Sequence, residues 1–154
     1  MLRLMGGLLL LCCCTGIGLQ LSGRLGARVR CLEKLERMLT DMIAMVRHQN
    51  LPTGEILSRL RQEGYLSGDA SGAPEAMAEL AENPLLQPEE KLLLLRVGQL
   101  LGASDRESQV GQLELEHSAL GRMLEDARQE WETRGKLFRT MGLLLGTLAA
   151  VLAL

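Results

Sequence analysis

Few side chains in this 154-residue sequence are able to do acid–base, nucleophilic or metal chemistry: it holds two histidines and four cysteines. His48 stands beside Gln49 and Asn50 at what reads as a helix end. His117 falls in an apolar seam, where a histidine sets register or satisfies a core hydrogen bond more often than it catalyses. Cys12, Cys13 and Cys14 are consecutive, so on one helix neighbours point about 100° apart and cannot ligate one metal. They read as small apolar filler. Cys31 stands apart from them, and with no C-x-x-C pair neither a zinc site nor a redox pair is expected. Gly16 and Gly18 form G-x-G, but inside an apolar run with no strand before it, which excludes a dinucleotide site. No G-x-x-x-x-G-K-S/T is present, so the chain is not itself a P-loop ATPase. No nucleophile has a visible base. The expectation is a protein that is not an enzyme and takes no cofactor, metal or small-molecule substrate; activity lost on substituting His48 or His117 would revive the alternative of an unrecognised site.

The elements that must position these residues divide sharply by composition. The chain is 47% hydrophobic and 2% aromatic, and three aromatics, Tyr65, Trp131 and Phe138, cannot make a stacking platform for single-stranded nucleic acid. A net charge of -2 argues against a phosphate-binding surface, so nucleic acid is excluded as a partner. Residues 4–21 carry no charge, residues 140–154 carry none, and all but one of the 36 charged residues lie between 22 and 139. One globular domain would mix these compositions.

Residues 4–21 come close to the roughly 20 apolar residues that cross a bilayer as a helix. A cleaved signal peptide is the competing reading, weakened by the lack of an A-x-A-like site. Residues 140–154 would extend about 22 Å as a helix, short of a core of about 30 Å, and would cross by thinning the bilayer or drawing in Leu137 and Phe138. Arg134, Lys136 and Arg139 stand where basic side chains reach lipid headgroups, which counts against a buried globular helix there. The basic residues cluster on the inner sides of both segments and only Arg3 lies outside, so the positive-inside rule places the middle in the cytoplasm. The expected organisation is all-α: a transmembrane helix over 1–23, a cytoplasmic antiparallel helical bundle over 24–139 and a second transmembrane helix over 140–154. Gly142 and Gly146, four apart, suit close helix packing in lipid, with lipid-facing glycines as the alternative.

In the middle, Leu25, Leu32, Leu35, Leu39, Met42 and Val46 recur three and four apart, with Met38, Ile43 and Met45 widening the stripe. Leu51-Pro52 ends that helix, and Thr53 is the expected cap of a shorter one. Residues 64–72, GYLSGDASG, read as a surface loop; Pro74 suits the first turn of a helix that Asn83-Pro84 breaks. Pro88-Glu89-Glu90 opens a helix whose run LLLLRVGQLLG is apolar nearly all round and so is expected to be the most buried, closing at Gly102. Ser104, Asp105, Arg106 and Glu107 form a capping box opening a long helix. In it Val110, Leu113, Leu120, Leu124, Ala127, Trp131 and Phe138, with His117 and Arg134, keep a three-four rhythm, which suits packing against the first stripe or against a second copy. Between residues 48 and 121 there are 12 acidic and 5 basic residues, an acidic tip in which Glu114 and Glu116 are the candidate partner surface.

The block LGASDRESQ, residues 101–109, resembles the L-G-x-S-D-R-E-x-Q signature of the stage III sporulation protein AB family of endospore-forming bacteria. The opening GGLLLLCCCTGIG, the segment LPTGEIL and the closing LFRTMGLLLG look like that family at matching places. The resemblance implies a component of the secretion-like complex linking mother cell and forespore, seated in the mother-cell membrane around the forespore. It also implies likeness to the F-type domains of type II secretion platforms, and a partner in stage III sporulation protein AA, a secretion-type ATPase. A generic membrane-anchored coiled-coil scaffold is the alternative that everything except the signature block supports.

Overall fold

The computed structural model describes residues 2–49, 51–68, 70–101 and 106–153, and at the outer ends of the first and last helices it describes only some of the side chains. Its elements are helical, with no strand among the described residues: α1 (Leu2–Ala44), a π-helical turn (Met45–Gln49), α2 (Thr53–Gln62), α3 (Ala73–Ala81), α4 (Pro88–Leu100) and α5 (Arg106–Ala153). Among the described residues no helix is long and apolar enough to cross a membrane. The two segments expected to be spans, 4–21 and 140–153, are helical in backbone, and the packing of Gly142 and Gly146 lies outside the described residues.

Two compact units form, Arg30–Glu125 on the one hand and Met1–Val29 with Asp126–Leu154 on the other. In the first, the inner part of α1 and the start of α5 run antiparallel. Arg47 pairs with Glu114, while Glu36 lies 3.8 Å from His117, so residue numbers fall on one helix as they rise on the other. Most of the stripe read from the sequence is the core here: Leu32, Leu35, Met38, Leu39, Met42, Met45 and Val46 are buried, as are Val110, Leu113, Leu120 and Leu124 on α5, whereas Ile43 is only half-buried. Each fully buried Leu or Met contributes about 1.5–3 kcal/mol of apolar transfer. The π turn holds one more residue per turn than an α-helix and buries Met45 and Val46 side by side just before Pro52, whose ring bars helical geometry at the residue preceding it.

The short helices close the other side of this core. α2 turns in Ile56, Leu57 and Leu60. It ends in a Schellman motif: Tyr65 N–H donates to Leu60 O (2.9 Å), Gly64 N–H to Arg61 O (3.0 Å), and Gly64 sits at φ 78°, a left-handed position that favours glycine. The loop that follows is only partly exposed, since Leu66 is buried, and it is pinned, because the Arg61 guanidinium donates to Gly68 O (2.8 Å) and to Ala70 O. α3 has Pro74 in its first turn and lies close on α4, where the Gly98 Cα faces the Pro74 backbone and Met77 Cβ.

Two expectations are corrected. Thr53 does not cap α2; Pro52 occupies the cap position, and the Thr53 hydroxyl is drawn instead to Leu101 O at 2.8 Å. Nor is α4 buried all round: Leu93, Leu94 and Val97 are sealed, but Leu92 is 58% and Leu95 39% exposed. Neighbours on a helix point about 100° apart, so a four-leucine run cannot turn every side chain to one core. α4 opens with a capping box the sequence reading missed, in which the Gln87 N–H donates to the buried Glu90 carboxylate (2.7 Å), with Pro88 in its first turn.

In the second unit, α1 and α5 again run antiparallel. Arg28 and Glu130 meet at 3.1 Å, Arg134 joins the same carboxylate at 2.8 Å, and Ser22 lies opposite Gly135. Ser22 and Val29 are buried on α1, Ala127 and Gly135 on α5.

Candidate functional site

Three polar clusters in the unit Arg30–Glu125 bear on function. The first contains both acidic residues expected to meet a partner. Glu114 is ion-paired with Arg47 in the middle of the π turn. Glu116 takes the Arg96 guanidinium side-on, with Nε at 2.9 Å and Nη2 at 3.1 Å, and its side chain is only 17% exposed. The structure therefore places Glu114 and Glu116 in contacts that fasten α5 to the end of α1 and to α4. His117, one residue on from Glu116, sits with Nε2 3.0 Å from the Thr40 hydroxyl. That hydroxyl has one hydrogen and donates it to Glu36 O (3.0 Å), so Nε2 carries the donor proton toward Thr40. A histidine held by Thr40 beside Glu36 keeps register across the helix pair.

The second cluster surrounds Cys31. The Asn83 amide nitrogen donates to its sulfur (3.5 Å) and the Asn83 side-chain oxygen accepts Leu85 N–H (3.0 Å), so Asn83-Pro84 breaks the chain with this half-buried amide paired at both ends. Burial pushes the Cys31 thiol up from its ordinary range, and the Glu90 charge adds to this while Lys34 opposes it. A thiol shifted that way is a poor nucleophile near neutral pH. Lys34 donates to Gly64 O (2.5 Å) and lies 5.9 Å over the Tyr65 ring, while the Tyr65 hydroxyl donates to Asp41 (2.9 Å). Donation to the Asp41 carboxylate, with lesser help from burial, raises the Tyr65 pKa. Among the described residues no group of three His, Cys, Asp or Glu side chains is placed to hold a metal.

The third cluster is the corner where Thr53 of the segment 51–57 and Gln109 of the segment 101–109 both reach the end of α4, residues 102–105 lying outside the described ones. The Gln109 amide donates to Leu100 O (2.8 Å) and the Thr53 hydroxyl to Leu101 O (2.8 Å), so two of the open carbonyls ending α4 are closed by one residue from each segment. Leu101 itself is buried. Ser104 and Asp105, half of the expected capping box, lie outside the described residues; Arg106 begins α5, with Glu107 exposed in its first turn. Neither hydrogen bond was visible in the sequence, because each joins residues that only the folded corner brings together.

The segments that meet here are two of those that carry the resemblance noted above. The family model described as stage III sporulation protein AB matches residues 3–69 and 70–154. The chain belongs to this family. No curated protein and no solved structure matches it. In this stage III sporulation AB family member, the two ends of the block 101–109 serve the fold: Gln109 donates to Leu100 O at the end of the preceding helix, and Leu101 is buried in the core.

Proposed function

We propose that this stage III sporulation protein is a membrane-anchored adaptor of the secretion-like complex between mother cell and forespore. Its helical domain over residues 24–139 would be cytoplasmic and would couple stage III sporulation protein AA, a secretion-type ATPase, to the membrane channel. Family membership supports the sporulation role. The observation that carries the membrane anchor is a stripe on α5: Leu137, Met141, Leu144, Leu148 and Val151, spaced four and three apart, are 51–70% exposed. An uninterrupted apolar stripe of that length is unfavourable in water and favourable in hydrocarbon. Arg134 and Lys136 precede it where basic side chains meet headgroups.

Reporter fusions test the arrangement. A reporter after Leu154 and one inserted within residues 64–72 are expected on opposite faces of the membrane, the second in the cytoplasm. Both on the cytoplasmic side would overturn the two-span reading.

A further inference from the structure

Within the unit formed by Met1–Val29 and Asp126–Leu154, a cavity of about 180 Å³ is lined by Ser22, Trp131, Glu132, Gly135 and Lys136. That is several times the roughly 30 Å³ a water molecule occupies in the liquid. Its floor holds an unusual group: Ser22 is 2% exposed, and its hydroxyl has no hydrogen-bond partner among the described residues. A buried hydroxyl left without a partner costs on the order of a hydrogen bond, so this one is poised for a polar ligand. Gly135 keeps the floor open, since a Cβ there would come within 3.3 Å of both Ser22 Oγ and the Trp131 ring.

The lining carries both signs of charge. Glu132 and Lys136 are exposed and one turn apart, and neither is in an ion pair among the described residues. Trp131, 38% exposed, adds an indole N–H. An ammonium, an indole N–H and a hydroxyl suit a phosphate, and a carboxylate one turn away suits a cation attached to that phosphate. On the membrane reading above, on which this inference rests, the cavity falls at the headgroup level, since Ser22 directly follows the uncharged segment 4–21 and Lys136 stands just before the segment 140–154.

We propose that this cavity binds the headgroup of a phospholipid bearing a primary ammonium, of the phosphatidylethanolamine type. Lys136, Ser22 and Trp131 hold the phosphate, and Glu132 accepts hydrogen bonds from the ammonium. A quaternary ammonium cannot donate these bonds, and a glycerol headgroup has no cation to offer.

Trp131 is the sole tryptophan, so its fluorescence reports the site directly. The full chain is reconstituted in nanodiscs of phosphatidylcholine alone, or with increasing phosphatidylethanolamine or phosphatidylglycerol, and its co-flotation with matching vesicles is measured. A saturable blue shift with phosphatidylethanolamine alone is expected. Glu132→Gln and Lys136→Gln, both at exposed positions, should each raise the half-saturating lipid fraction roughly tenfold, as loss of a charged hydrogen bond implies. In detergent, glycerophosphoethanolamine should reproduce the shift and inorganic phosphate should not. Co-flotation with an equal response to all three lipids, or with either variant unchanged, overturns the site and leaves the membrane reading intact. A response to phosphatidylglycerol or inorganic phosphate as strong as to the ethanolamine lipid overturns the ammonium assignment. Failure to float with any vesicle overturns the membrane reading and the site with it.

Discussion

At the scale of single residues, the chemistry of this protein lies in how polar groups are closed off. Cys31 and Tyr65 both have folded-state pKa values raised above their ordinary ones, the first by burial and the second by its bond to Asp41. A group of this kind binds its proton more tightly when folded. Its stabilising effect is therefore complete below the unfolded pKa and is lost as pH rises through the folded value. Thermal unfolding scans should show a melting temperature that is level near neutrality and falls above about pH 9, and Tyr65→Phe together with Cys31→Ala should flatten that fall. An unchanged alkaline slope in the double variant would mean that neither group is linked to folding. The apolar half of this picture was legible in the sequence, because Leu32, Leu39 and Met42 recur at helical spacing and are sealed. The polar half was not. The bonds of Asn83 to Cys31 and Tyr65 to Asp41 join residues 52 and 24 positions apart, and no local pattern announces them.

At the scale of elements, closeness of approach matters more than apolar count. The leucine run of α4 predicted a buried helix, but which leucines face the core depends on where α3 lies, and that is set by Gly98. A Cβ there would meet Pro74 Cα at 3.0 Å and Ala73 O at 3.1 Å, backbone atoms that cannot rotate aside. Gly98→Ala should therefore cost about 1–3 kcal/mol, measured by denaturant unfolding, despite the better helix propensity of alanine. A neutral or stabilising result would show that α3 shifts freely. Thr53 teaches the same lesson. Its position before a helix suggested a cap, whereas the fold uses its hydroxyl on a carbonyl 48 residues away.

At the scale of the whole molecule, the docking role proposed for Glu114 and Glu116 has to be separated from the part they play within the fold. Glu114 and Glu116 hold α5 to Arg47 and Arg96, so reversing their charge would set cation against cation inside the fold as well as alter any docking face. The informative variant swaps both sides, Glu114→Arg and Glu116→Arg with Arg47→Glu and Arg96→Glu. In pull-downs with the ATPase proposed as partner, the two-residue reversal should abolish capture. The four-residue swap should regain its fold, read by circular dichroism, and still fail to bind. Capture restored by the swap would assign these carboxylates to internal fastening alone.

The scarcity of aromatic rings has a practical result. The chain has one tryptophan and one tyrosine, and the two compact units have one each: Trp131 in the unit Met1–Val29 with Asp126–Leu154, Tyr65 in the unit Arg30–Glu125. Tyr65 reports a pinned loop beside Asp41, and Trp131 a cavity with a buried hydroxyl at its floor. The native sequence thus supplies each unit with its own optical label, and the melting of one can be followed separately from the other without adding a probe.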